Sequence, residues 1–170
     1  EPYAINDTRI TYKLFEFYKE KGVLEDATYL TEMKLLKCLM NMERKGVPVD
    51  VKYLEEQGKR CSDRIAEIEA ITEKEFGGIN LISNVQLKKF LFEDEGLTCE
   101  NWTPKGNPCL DEYNLHLYDH PIIPYVTEIR DLSKTKSTYI DYMLNHRDED
   151  NAVHCSYFQV GARTGRFSCR

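Results

Sequence analysis

Apolar residues recur at three- and four-residue spacing over most of the chain, and that period predicts helices. The first runs from about Asp7 through Ile10, Leu14 and Phe17 and stops at Gly22. A second spans about 26–45, with Leu30, Met33, Leu36, Cys38 and Leu39 or Met40 on its apolar side. Gly46 ends it, as a left-handed cap. In the link "KGVPVD", Pro48 blocks continuation and Asp50 caps the next helix. That third helix carries the narrow stripe Leu54, Cys61, Ile65, Ile68 and Thr72 among charged residues. Such a stripe suits one member of an antiparallel pair, and the short link makes the second helix its expected partner.

"GGIN" interrupts the helices, and "SNVQLKKFLFEDEG" resumes them with Ser83 and Gln86 in capping-box spacing, closing at Gly96. Residues 98–110 read as an irregular loop. A short helix is expected near 111–118, then a longer one from Pro121 or Pro124 carrying Val126, Ile129, Leu132, Tyr139 and Met143. Past the acidic turn at 147–150, "AVHCSYFQV" alternates like a strand. The pattern therefore predicts a mainly helical protein with a β element only at its end.

Composition narrows the picture little. The 170 residues carry a net charge of −6, which disfavours a polyanionic partner only if the charge is evenly spread. It is not. From Asn151 on there is no acid, while Arg163, Arg166 and Arg170 fall within "GARTGRFSCR". No apolar run is long enough for a membrane span, and the first residues do not resemble a signal peptide. Six scattered cysteines without a C-x-x-C pair read as reduced thiols of a cytoplasmic protein rather than zinc ligands.

On the helix predicted beyond Pro124, Arg130, Lys134 and the hydroxyls Ser137 and Thr138 fall near one face. Cations and hydroxyls on one face suit phosphate oxygens, although a solvated surface is the simpler account of them. Tyr3 and Asp7 stand one turn apart. Unaided, they read as a packed aromatic and a surface carboxylate. His154 reads as a strand residue satisfied by a neighbour.

Five stretches in order, "YAIND", "MERKGVPVD", "NLISNVQLKKFLF", "RDLSKTKSTY" and "VHCSYFQVGARTGRFS", resemble family A DNA polymerases of the bacterial DNA polymerase I and phage group. The resemblance covers nearly the whole chain. It implies the C-terminal end of a 3′–5′ exonuclease domain over 1–24, a thumb over 25–148 and the start of the palm over 149–170. The implied fold is a helical thumb with a long antiparallel helix pair, preceded by the last exonuclease helix and followed by a short palm β element. The palm carboxylate motifs and the fingers are not in this sequence.

The resemblance assigns roles residue by residue. Tyr3 would orient the attacking water and Asp7 would bind metal in the exonuclease motif, which needs further carboxylates for two Mg2+ ions. Arg130 and Lys134 would contact DNA phosphates. Ser83, Asn84 and Lys88 would do so at the capping-box helix, where relatives often carry lysine at the position of Val85. Arg166 would direct its fork at minor-groove acceptors, which are nearly the same for every Watson–Crick pair. Thr164 would approach alongside it, with Gln159 and Ser168 as secondary candidates. Arg163, where relatives carry a small residue, would contact a phosphate or make an inter-domain salt bridge, and Arg170 stays unassigned. The implied partners are primer–template duplex DNA and the remaining palm and fingers, on the same longer chain or a second subunit. The implied location is the cytoplasm of a bacterial cell or a phage-infected host. The alternatives are a non-catalytic DNA-binding or assembly subunit, such as half of a split polymerase, and a helical interaction module.

Overall fold

A computed structural model describes residues 2–159 and 161–169. Its helices are α1 (Pro2–Glu20), α2 (Ala27–Lys45), α3 (Val51–Phe76), α4 (Asn84–Lys88), α5 (Glu112–Leu115), α6 (Ile123–Lys134) and α7 (Tyr142–His146). Single π-helical segments extend α4 over Lys89–Asp94 and join α6 to α7 over Thr135–Asp141. The strands are two residues each: β1 (Val47–Pro48), β2 (Ala152–Val153), β3 (Tyr157–Phe158) and β4 (Ser168–Cys169). The protein is mainly helical, as its periodicity requires.

Capping residues set the helix starts. Asp26 accepts from the amides of Thr28 and Tyr29, Asp50 from Tyr53 and Asp111 from Asn114. Half of the capping box forms at Ser83, whose hydroxyl accepts from Gln86 N at 3.5 Å. The Gln86 side chain reaches past Ser83 to accept from Asn80 N at 2.9 Å. Gly46 has the expected positive φ of 66°, but with ψ at −177° it leads into β1 rather than forming a left-handed cap. A β-carbon there would stand 2.9 Å from the His154 ring.

Two compact bodies divide the chain, one formed by 1–48 with 152–170 and the other by Val49–Asn151. In the second, the predicted stripe of α3 is buried at Cys61, Ile68 and Thr72 and half-buried at Leu54 and Ile65, with Gly58 buried beside it. Within this body its partner is a later helix. The stripe packs on α6 and the π segment, with Gly58 against Ile140 at one end and Thr72 beside Ile129 at the other, so the pair is antiparallel. The long helix finds a later apolar helix because that helix offers the matching Val126 and Ile129. On α2, by contrast, Leu30, Met33, Leu36 and Met40 remain exposed.

Ile68 and Ile129 share one core with Leu81, Leu87, Phe90, Leu91, Leu110, Leu115, Tyr118, Ile122, Ile123 and Val126. Each fully buried aliphatic side chain contributes about 1.5–3 kcal/mol, and this cluster is what fixes the second body. Both ends of that body meet, since Val49 N donates to the Asn151 carbonyl at 2.8 Å.

In the first body the expected single strand is broken in two. Residues 152–153 pair antiparallel with 47–48, whereas 157–158 pair with 168–169. The break falls where the His154 ring turns to the end of α2, its Nδ1 donating to the Glu43 carbonyl at 2.6 Å. That satisfies His154 locally, as the sequence suggested.

Candidate nucleic-acid interface

Within the second body, α4 and the 101–110 loop form the two walls of an open groove of about 660 Å³. Asn84, Val85 and Lys88 line one wall; Thr103, Lys105, Asn107 and Pro108 line the other. The loop is ordered by its own turn: Thr103 N donates to Asn107 O at 2.7 Å and Gly106 N to Thr103 O at 2.9 Å. A buried amide then secures it to the core. Asn101 donates to Asn114 Oδ1 at 2.8 Å, and the Asn114 amide nitrogen donates to Asp111. Hydrogen bonds from Asn114, backbone first, hold the Asp111 carboxyl below the usual aspartate range.

Arg130 ties the walls together from beneath. Its Nη1 donates to the Leu110 carbonyl at 2.6 Å, its Nη2 to Asn84 Oδ1 at 2.7 Å and its Nε to the Leu81 carbonyl at 3.3 Å. Burial lowers its pKa from the ordinary arginine value. With all three nitrogens engaged internally, Arg130 is a brace of the groove, half-buried where a surface cation was expected. The reason lies in position: Arg130 faces the core side of α6, beside Ile129 and one turn from Val126. Lys134 is exposed and makes no ion pair or hydrogen bond among the described residues, whereas Lys136 pairs with Asp141 at 2.8 Å.

Asn84 and Lys88 thus line the groove and Ser83 caps their helix, with Val85 79% exposed between them. Thr103, Lys105 and Asn107 were missed by sequence reasoning. The signal was present in "TPKGNP", a turn with a lysine at its tip, but a loop sequence does not say which helix it will face.

In the first body, Arg166 lies on the turn between β3 and β4. Its Nε donates to Thr164 Oγ1 at 3.1 Å, and neither terminal nitrogen has a partner among the described residues. Gly165, at φ 72°, makes that turn. Gln159 is engaged elsewhere, its amide donating to the Glu32 carbonyl at 2.9 Å and to the Glu32 carboxylate. Ser168 belongs to β4, and Arg163 is exposed. Arg170 lies outside the described residues.

Tyr3 and Asp7 are both exposed on α1, one turn apart. Among the described residues no three His, Cys, Asp or Glu side chains come together, so Asp7 by itself does not fit a metal site. No helix among the described residues is long and apolar enough to cross a membrane.

A helical body with a lysine-flanked groove, and a hairpin presenting an arginine fork, have the donors that a polyanionic helix requires. The profile of DNA polymerase family A matches residues 51–170, and the chain belongs to that family. It is 33% identical to DNA polymerase I of Chloroflexus aurantiacus, over 98% of this chain and 19% of the relative. It is 34% identical to the thermostable DNA polymerase I of Thermus aquaticus, over 81% of this chain and 17% of that protein. A solved structure, the POL domain of Pol1 from M. smegmatis in complex with DNA primer-template and dNTP, matches with a TM-score of 0.73. There the identity is 29%, covering 81% of this chain and 25% of that one. The chain therefore spans about a fifth of the length of the curated relatives it matches.

Proposed function

We propose that this chain is the duplex-gripping part of a template-directed DNA polymerase, made of the end of an exonuclease domain, a thumb and the first palm strands. The groove between α4 and the 101–110 loop carries the reading. Lys88 and Lys105 flank it from opposite walls, and the amides of Asn84 and Asn107 and the Thr103 hydroxyl offer further donors. Donors of this kind suit a phosphate backbone, which fixes register without reading sequence. Lys134 adds an exposed cation on α6, and the Arg166 fork, with Thr164 beside it, is directed at the minor groove of the primer end. The division of the chain at 151/152 supports a thumb that ends near 148, while the break at 48/49 falls within the 25–148 span expected for it. In the whole polymerase the reaction is nucleotidyl transfer. Family A polymerases use Mg2+, and its ligands would come from residues outside this sequence, with Asp7 contributing only to an exonuclease site completed elsewhere.

Duplex binding as a function of salt tests the reading. The purified chain should bind primer–template DNA with an affinity that falls log-linearly as salt rises. Lys88→Ala and Lys105→Ala should each weaken binding alike for all sequences and reduce the slope by about one unit. Binding that is absent at low salt, or that keeps its slope in both variants, would overturn the groove assignment.

A further inference from the structure

Two carboxylate residues of α2, which the reaction chemistry does not call for, hold the segment that leads to the Arg166 turn. Glu43 Oε1 accepts from Tyr157 N at 2.6 Å, while the Glu43 carbonyl accepts from His154 Nδ1 at 2.6 Å. Glu32, eleven residues earlier in the same helix, accepts from the Gln159 amide through both its carbonyl and its carboxylate. A helix rises about 1.5 Å per residue, so the two anchors are roughly 16 Å apart along α2. The strand between them is pinned at its start and at its end.

The pinned strand is β3, and its partner is β4, with Tyr157 opposite Cys169 and Phe158 opposite Ser168. Arg166 precedes Ser168 by two residues. The arms approach closely, since a β-carbon on Gly161 would overlap the Ser168 hydroxyl. Neither Glu32 nor Glu43 forms an ion pair with Arg163 or Arg166 among the described residues. Their carboxylates accept from a backbone amide and a side-chain amide instead. An acidic residue paired with a DNA-facing arginine would compete with the DNA for it. Here the acids hold the strand and leave the arginine alone.

We propose that Glu43 and Glu32 are positioning residues for Arg166: they fix β3 against α2 and so fix where the arginine fork points. This rests on the reading of Arg166 as a duplex contact. The consequence is energetic coupling between residues that do not touch. A fork held in place loses little freedom when it binds, whereas a loose one must be ordered first. Removing the anchor should therefore forfeit part of what removing the fork forfeits, and the two losses should not add.

The test is a double-mutant cycle on the 170-residue chain, read as affinity for a primer–template duplex at fixed salt. Arg166→Ala should weaken binding roughly tenfold. Glu43→Ala should weaken it severalfold with an unchanged salt slope, and should add less than about twofold in the Arg166→Ala background. Glu43→Gln, which keeps an acceptor oxygen, should restore most of the affinity. Amide exchange gives a readout independent of DNA: Tyr157 N–H should lose protection in Glu43→Ala and keep it in Glu43→Gln. Should Glu43→Ala not fold, Glu32→Ala removes only the carboxylate contact to Gln159 and takes its place in the cycle. No loss in Arg166→Ala would sink the duplex reading of that arginine. A loss in Arg166→Ala with full additivity, or with no effect of either carboxylate, would sink the positioning role alone.

Discussion

Gly58 of α3 lies directly against Ile140 of the π segment, so closely that a β-carbon on the glycine would stand 3.2 Å from Ile140 Cγ2. The two helices meet there because one residue has no side chain and the other sits where the backbone is locally widened. Gly58→Ala should change stability by no more than about 1 kcal/mol, since gained helix propensity offsets the tight contact. Gly58→Val should destabilise by roughly 1–3 kcal/mol through overpacking. Ile140→Ala should cost about 2–5 kcal/mol, because Ile140 is buried at that crossing. Urea unfolding of the three variants checks all of this; a stabilised Gly58→Val would show that the helices are free to separate.

Arg130 and Lys134 are one turn apart on α6 and should separate cleanly in experiment. Arg130→Ala leaves the Leu81 and Leu110 carbonyls without their donor. It should lower stability by about 1–3 kcal/mol and loosen the groove as well. Lys134→Ala should leave the unfolding midpoint alone. Its expected effect is a uniform loss of duplex affinity and a salt slope smaller by about one. Equal melting losses in the two variants would mean that Lys134 is also structural.

Acid should weaken the second body at identified places. The Asp111 carboxyl is held below its ordinary range by the Asn114 backbone and side-chain donors, and Glu128 by the Arg64 guanidinium. A lowered folded pKa means that the stabilisation is fully present above the unfolded value, near 4, and disappears as pH falls through the lower folded value. Stability measured from about pH 6 to pH 2 should therefore decline below about pH 4. Asp111→Asn keeps a capping oxygen but cannot titrate, so it should flatten part of the decline. A profile unchanged by that substitution would exclude Asp111 as a contributor.

Mixed with Mg2+ and a primer–template, the purified chain should neither extend the primer nor release nucleotides from it. Asp7 stands on an exposed helix without two further metal-binding side chains nearby among the described residues. Extension or degradation by a preparation shown to hold only this polypeptide would overturn that expectation.

The α3 stripe, the caps at Asp50 and Ser83 and the β character near the end are all legible in local sequence patterns. Partner choice is not. That α3 buries its stripe on α6, long after it in sequence, depends on matching surfaces that no local pattern shows. Arg130 shows the same limit at the site. Its spacing from Lys134 put both on one face, but the boundary between core and surface passes between them. The groove's second wall was invisible for a related reason: Lys105 becomes relevant only once Asn114 draws its loop over the core.

The meeting of Val49 with Asn151 has an implication for how such a chain can be engineered. A body whose entry and exit points touch can be lifted out and grafted into another scaffold without straining its host, because the seam occupies the span of one hydrogen bond. The same seam would close over a short turn if everything between were deleted. In that sense Val49–Asn151 is a cassette. Its apolar cluster travels entirely inside it, so expressed alone, with the seam as its two termini, it should carry its own fold with it.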